Sequence, residues 1–332
     1  MSLEWVVSTH PSMLVGMGKY ILRRIALLIP TLIGMSIIIF GMVRLMPGDI
    51  VDSLVGLDPT VTPEAKAELR RAYGLDDPVP IQYAKWIAGI FQGDLGRSYR
   101  TRQPITQEIV NALPVTIELA LFALFMSVLV AIPLGVLSAI KRNTWIDFTA
   151  RLVGLMGLAF PNFWLATMFL LITSLVFKWV PPVFYISPLE NIVGNLTQFF
   201  LPALALSVAL MAIEMRMART SMLEVLRQDY IRTARAKGLS DRVVYFKHAL
   251  KNSFIPVITV IGIQLGALMG GSVIIEQIFG LPGVGWYLLQ GIQTRDYPVV
   301  QVTALFLATV FVVMNLFVDL TYAFLDPRIK YE

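Results

Sequence analysis

Residues 115–140 read VTIELALFALFMSVLVAIPLGVLSAI, a stretch whose one charged side chain is Glu118. A helix needs about 20 consecutive, mostly apolar residues to cross the hydrocarbon of a bilayer, and this run exceeds that. Five more apolar runs occupy residues 25–45, 152–177, 200–213, 254–278 and 300–324. The run at 200–213 meets a charge early, at Glu214, but apolar character resumes at Met215. Hydrophobic residues make up 56% of the chain and charged residues 15%, against about 25% charged in a soluble domain. Burial in a soluble core does not account for runs of this length. The expected fold is an all-α integral membrane protein with six transmembrane helices.

The first run is too long for a signal-peptide core and no A-x-A site follows it, so it reads as an uncleaved span. The chain has no cysteine, which removes disulfide and thiol chemistry. A net charge of +5 is not carried on a soluble domain, so membrane lipid is the expected environment and nucleic acid is not a partner.

The basic residues set an orientation. With the N-terminus placed inside, 17 Lys and Arg fall on cytoplasmic segments and 9 on the opposite side. Long loops count little in this rule; discounting the first external loop leaves two on the outside, Lys178 and Arg295. Both termini are therefore expected in the cytoplasm. The organisation that follows is an N-terminal extension (1–18), a first transmembrane helix (19–45), an external segment (46–113) and a core domain (114–330). The core domain holds five transmembrane helices and a cytoplasmic loop at 215–252. Within the external segment, residues 63–73 read as a helix capped by Thr62 and residues 81–91 as an amphipathic helix.

One polar stretch stands out in that loop: Asp229-Tyr230-Ile231-Arg232-Thr233-Ala234-Arg235-Ala236-Lys237-Gly238-Leu239. Asp229 reads as an N-cap and Gly238 as a left-handed helix stop, with about two turns of helix between them. The small residues Ala234 and Ala236 let such a helix lie close to a partner. Tyr230, Ala234 and Lys237 share one face and Arg232, Arg235 and Ala236 the next; which face meets a partner stays open. A basic cytoplasmic loop obeying the charge rule is the plainer reading of the same residues.

The DYIRTARAKGL segment, followed by Ile255-Pro256, resembles the EAA loop of bacterial ABC importer permeases. The generic pattern E-A-A-x-x-x-G is replaced here by Arg232-Thr233-Ala234 and Gly238, so its acidic contact is absent at position 232. Further matches extend the resemblance over about residues 17–330. They are YILRRIALLIP (20–30), MPGD (46–49), YGLDDP (73–78), GDLGRS (93–98), AFPNFW (159–164), RTSMLEVL (219–226), IEQIFGLPGVG (275–285), RDYPVV (295–300) and DPR (326–328). As a set they are similar to the permeases of dipeptide and oligopeptide importers of the DppB/OppB type. Residues 1–16 have no counterpart in that pattern, and Met17 fits as a family-like start.

The resemblance implies a permease subunit in a bacterial inner membrane that works by alternating access. Its implied partners are a second permease of the DppC/OppC type, two ABC ATPases and an external substrate-binding protein. The segment from Asp229 to Gly238 is then the ATPase-coupling helix. ATP and Mg are used by the partner subunits, with no cofactor or metal bound by this chain. Gly16-Met17-Gly18-Lys19-Tyr20 lacks the spacing of a phosphate loop. Nickel, glutathione and oligosaccharide importers share this permease type and are the alternative solutes. A secondary transporter acting alone and a membrane-embedded enzyme are the rival classes.

No catalytic constellation is visible, and two histidines, His10 and His248, are too separated for a metal cluster. Acids within spans are costly and suggestive. Glu118 lies near the outer end of the second span, at headgroup depth. Glu214 is expected in an ion pair with Arg216 or Arg219, and Asp319 is expected either to snorkel or to pair with an arginine. Glu276 and Gln277, just before the turn Gly280-Leu281-Pro282-Gly283, are expected at an outer gate with Glu276 facing the translocation pathway. Pro161 should kink the third span. Asn162 either satisfies the carbonyl that Pro161 frees or faces the pathway. The small residues Gly266, Ala267, Gly270 and Gly271 are expected to allow close helix packing.

Overall fold

A computed structural model describes residues 11–45, 48, 50–55 and 62–325, and all regular elements among them are helical. Helices α1 (Pro11–Arg44), α2 (Ile50–Val55), α3 (Pro63–Ala72) and α4 (Val79–Phe91) form the first span and the segment that follows it. Next come α5 (Ile105–Ile140), α6 (Trp145–Ala159), α7 (Asn162–Phe177) and α8 (Ile192–Val225). The polar loop holds α9 (Asp229–Ala236) and α10 (Asp241–Val243). A π-helical stretch (Val244–Ala249) then runs into α11 (Leu250–Gly271). Finally come α12 (Val273–Phe279), α13 (Val284–Thr294) and α14 (Tyr297–Leu325).

Five of the described helical stretches are long and apolar enough to cross a membrane, and α6 with α7 makes a sixth if the pair counts as one bent span. The two meet at 97°, so the expected kink is a full break. Phe160 is extended and Pro161 caps α7. A residue before proline is driven out of the helical region, and proline cannot donate the next hydrogen bond. The segment between the first two spans also ends earlier than expected. Helix α5 begins at Ile105, because Ile105 and Ile109 are buried against Val299 and Val302 of α14. That packing prolongs the helix beyond its apolar run. Residues 1–10, with His10, and the pieces Met46-Pro47, Asp49 and Asp326-Pro327-Arg328 lie outside the described residues.

The core is built on α5 against α8. Gly135 lies so near the Met215 carbonyl and Ala218 that a Cβ would collide with both. Leu119, Ala120, Ala123, Phe199, Ala203 and Leu206 fill the seam, and Ala166, Leu268 and Ile275 close over it. Small side chains at a helix seam let backbones approach where lipid supplies no hydrophobic drive. The same device joins α11 to α14, but a turn earlier than expected. Gly262 and Gly266 face Val318 and Met314, while Gly270 faces open space. Arg24 pairs with Asp319 at 2.7 Å, tying α1 to α14, the second of the two expectations for Asp319.

Helices α3 and α4 and the loop after them clamp onto this frame. Thr62 caps α3 through its hydroxyl, 3.3 Å from the Ala65 amide. On α4, Tyr83 shares a 2.9 Å hydrogen bond with Ser36 of α1, and Trp86 stacks on Phe40. Asp296, buried at the foot of α14, accepts hydrogen bonds from the Ser98 hydroxyl (2.6 Å) and from the Tyr99 and Arg100 amides (both 3.2 Å). Thus the GDLGRS and RDYPVV motifs meet across the fold.

Candidate functional site

Helix α9 ends as its sequence predicts. Gly238 has φ +77°, and the Gly238 and Leu239 amides donate to the Arg235 and Ala234 carbonyls. These are the two bonds of a Schellman stop, which a left-handed glycine permits. The start differs. Gln228 occupies the cap position, and Asp229 is already helical. The Asp229 carboxylate reaches Arg232 at 3.3 Å instead of capping an amide. An acid in the first turn still favours the positive end of the helix dipole.

The structure separates the two candidate faces. Ile231 and Ala234 are buried against Met222, Val136, Ala139, Val244 and Ala249. Ala234 thus packs on its own chain, and its smallness serves that contact. Arg232, Thr233, Arg235, Ala236 and Lys237 are exposed. Tyr230 lies at the edge, where its hydroxyl accepts from the Asn252 amide at 2.8 Å. Arg235 is 3.5 Å from Asp241 and lies over the Tyr245 ring. The floor beneath α9 is the π-helical stretch that leads into α11. A π turn inserts an extra residue per hydrogen-bonded ring and often marks a functional position. Nothing in the hydrophobic pattern announced it.

A buried ion pair lies one layer further in. Asp147 of α6 is fully buried and accepts two bonds from Arg219 of α8, at 2.7 and 3.0 Å. It also accepts from the Ser138 hydroxyl at 2.7 Å and the Asn143 amide at 3.0 Å. This cluster locks α5, α6 and α8 together above the α9 floor. It corrects the expectation for Glu214. Arg219 is committed to Asp147, while Glu214 is buried and meets the Ser127 hydroxyl at 3.1 Å. The partners of Arg219 are distant in sequence, so spacing along α8 misassigned it. The signal that sequence reasoning missed was Asp147, at a helix start beside a basic turn.

Glu276, expected at an outer gate, turns inward to its own chain. It is fully buried within this one chain. The Thr116 and Ser272 hydroxyls donate to one carboxylate oxygen at 2.9 and 2.7 Å, and the Trp286 amide donates to the other at 2.8 Å. Helix α13 begins at a cap, Gly283, that carries no side chain. Glu276 supplies the missing acceptor from α12, where the dipole favours an anion. A Cβ at Gly283 would overlap that carboxylate, and one at Gly285 would crowd it. The glycines of IEQIFGLPGVG therefore make room for a cap. Gln277 beside it is exposed, and Asn162 is half-buried at the break between α6 and α7. Glu118 accepts from Tyr185 at 3.0 Å. Burial, with Glu118 adding to it, pushes the Tyr185 hydroxyl up to about 12, so it stays a donor at neutral pH.

Five long apolar helices, or six with the bent pair, define a multi-span helical membrane protein. Residues 131–331 match the family described as binding-protein-dependent transport system inner membrane component, and residues 17–120 match the model of its N-terminal region. The chain belongs to this family and is a multi-pass inner-membrane protein. It is 42% identical to the dipeptide transport system permease protein DppB of Alkalihalophilus pseudofirmus, over 95% of this chain and 100% of that one. A putative peptide transport system permease protein of Brucella abortus is 42% identical with the same coverage. DppB of Escherichia coli K12 is 40% identical, again over 95% and 100%.

Proposed function

We propose that this chain is one of two permease subunits of an ATP-driven importer of dipeptides or short oligopeptides, and that α9 is its contact with a cytoplasmic ATPase. The observation that carries the reading is the two-sided build of α9. Ile231 and Ala234 hold it to the permease, while Arg232, Thr233 and Lys237 are exposed on its other side. The full-length likeness to dipeptide permeases supports the solute class. In this reading both termini and α9 are cytoplasmic, and a permease of the DppC/OppC type completes the pathway. Two ATPases use ATP and Mg, and an external binding protein delivers the peptide and sets most of the solute choice. Movement of α9 passes through the π-helical floor into α11. Asn162 and Gln277 remain candidates for the pathway.

The test is uptake of labelled dipeptide into proteoliposomes containing the complete transporter. Uptake is expected to require ATP and the binding protein. Arg232→Glu with Lys237→Glu should cut uptake about tenfold or more, as loss of charge-assisted contacts does, without loss of the folded permease. Uptake by this chain without ATPases would sink the proposal.

A further inference from the structure

We infer that Glu214 is a proton-binding site inside the seam of α5 and α8, where it holds a hydrogen and stands as the neutral acid. Glu214 and Ser127 are both fully buried. One carboxyl oxygen, Oε1, lies 3.1 Å from the Ser127 hydroxyl. The other, Oε2, has no hydrogen-bond partner and next to no accessible surface. The Ser127 hydroxyl also lies 2.8 Å from the Leu124 carbonyl. A hydroxyl carries one hydrogen, so Oε1 and that carbonyl compete for it, and Oε2 has none. A proton on Glu214 resolves the shortage. The acid donates from Oε1 to the Ser127 oxygen, and Ser127 donates its own hydrogen to Leu124.

The neighbouring charges offer no counter-ion. Arg216, two positions along α8, is exposed and points to another side of the helix. Arg219, about 7.5 Å further along the axis, is committed to Asp147 at 2.7 Å. The helices packed against α8 carry few other titratable groups. They are Glu108 and Glu118 on α5, Asp147 and Arg151 on α6, Lys251 on α11 and Glu276 on α12, with none on α7. Glu118 is held by Tyr185, Glu276 by Thr116 and Ser272, and Arg151 lies 3.4 Å from Asp147. Lys251 is exposed, and Glu108 lies about 28 Å along α5 from Ser127.

An unpaired carboxylate in such a place is among the costliest groups to bury, and it takes up a proton instead. The inference does not depend on what surrounds the bundle. Glu214 is sealed by its own chain, so in this arrangement neither lipid nor a second subunit touches it. No water fits against Oε2 either, whereas a proton needs no room. The hydrogen is thus a ligand of the closed seam, taken from water and returned to it. A rearrangement that brings water to Glu214 lets the proton leave, so its occupancy and the closure of the seam are linked.

Infrared difference spectra of the assembled transporter at neutral pH test this. Wild type minus Glu214→Gln should contain the carbonyl stretch of a protonated carboxylic acid. Ser127→Ala should move that band to higher frequency, because it removes the acceptor of the acid's hydrogen bond. Carboxylate bands in place of the acid band would overturn the site. Glu214→Gln should also keep the unfolding temperature of wild type, since an amide has the acid's shape and still donates to Ser127. Glu276→Gln is the contrast, because that carboxylate accepts three hydrogen bonds and its loss should lower the unfolding temperature. An equal drop in both variants would make Glu214 an ordinary buried acceptor and overturn the site. Should Glu214→Gln fail to assemble, Ser127→Ala against wild type decides, and an unmoved acid region there would equally overturn it.

Discussion

Glu276 and Asp147 show what a single acid in a span can be used for. Both are fully buried and both accept several hydrogen bonds, yet the sequence singled out one and passed over the other. Glu276 was legible as costly, because an acid beside a Gly-Leu-Pro-Gly turn in apolar surroundings needs a partner. Its direction was not legible. Thr116 lies 160 positions away, and the Trp286 amide is a backbone group that no side-chain pattern reveals. Having assigned Glu276 as the acceptor for α13, we expect Glu276→Gln to act on stability. The substitution sets an amide against two hydroxyls and a helix N-terminus, at a cost of about 2 kcal/mol. Purified transporter should unfold at a lower temperature and assemble in lower yield. Transport per assembled complex should be little changed. Intact stability together with altered transport would return Glu276 to the pathway.

The elements divide by whether their determinants are local. Helix α9 was legible almost to the residue, because a left-handed glycine stops a helix through its own neighbours. The cap at α3 was legible for the same reason, with Thr62 reaching only as far as Ala65. The break between α6 and α7 was legible in position but not in angle, since Pro161 forces a break and neighbouring helices set its 97°. The π-helical floor was not legible at all. Val244 and Ala249 are buried with Ile231 and Ala234, and that long-range packing selects the wider turn. Two variants separate the stop of α9 from its seat. Gly238→Val places a Cβ at φ +77°, a strain of about 1–2 kcal/mol, and redirects the chain into α10. It should lower ATPase association and uptake while membrane insertion continues. Ala234→Leu overfills the seat, at about 1–3 kcal/mol, and should lift the whole helix. Co-purification of the ATPases measures both, and full ATPase retention in both variants would argue against docking at α9.

At the scale of the whole molecule, the arrangement of charge across the membrane carries the functional reading. The segment 215–252 bears nine Lys and Arg, and α9 presents three of them, Arg232, Arg235 and Lys237, on its exposed side. The segment between the first two spans is organised differently. There Arg70 meets Asp52, Lys85 meets Asp77 and Arg102 lies over Tyr73. Charges neutralised or folded into a small external structure do little to orient a span, which is why the short loops decide. The helical bundle itself has no such polarity, so orientation is read from charge and tested chemically. The chain has no cysteine, and single cysteines at Gln92 and Ser240 report on the two sides without background. Both positions are exposed, and neither side chain takes part in the clamps that hold the external helices. In intact cells an impermeant thiol reagent should label Gln92→Cys and spare Ser240→Cys until the membrane is opened. The reverse pattern would put α9 outside, beyond the reach of any cytoplasmic ATPase, and the importer reading would fall with it.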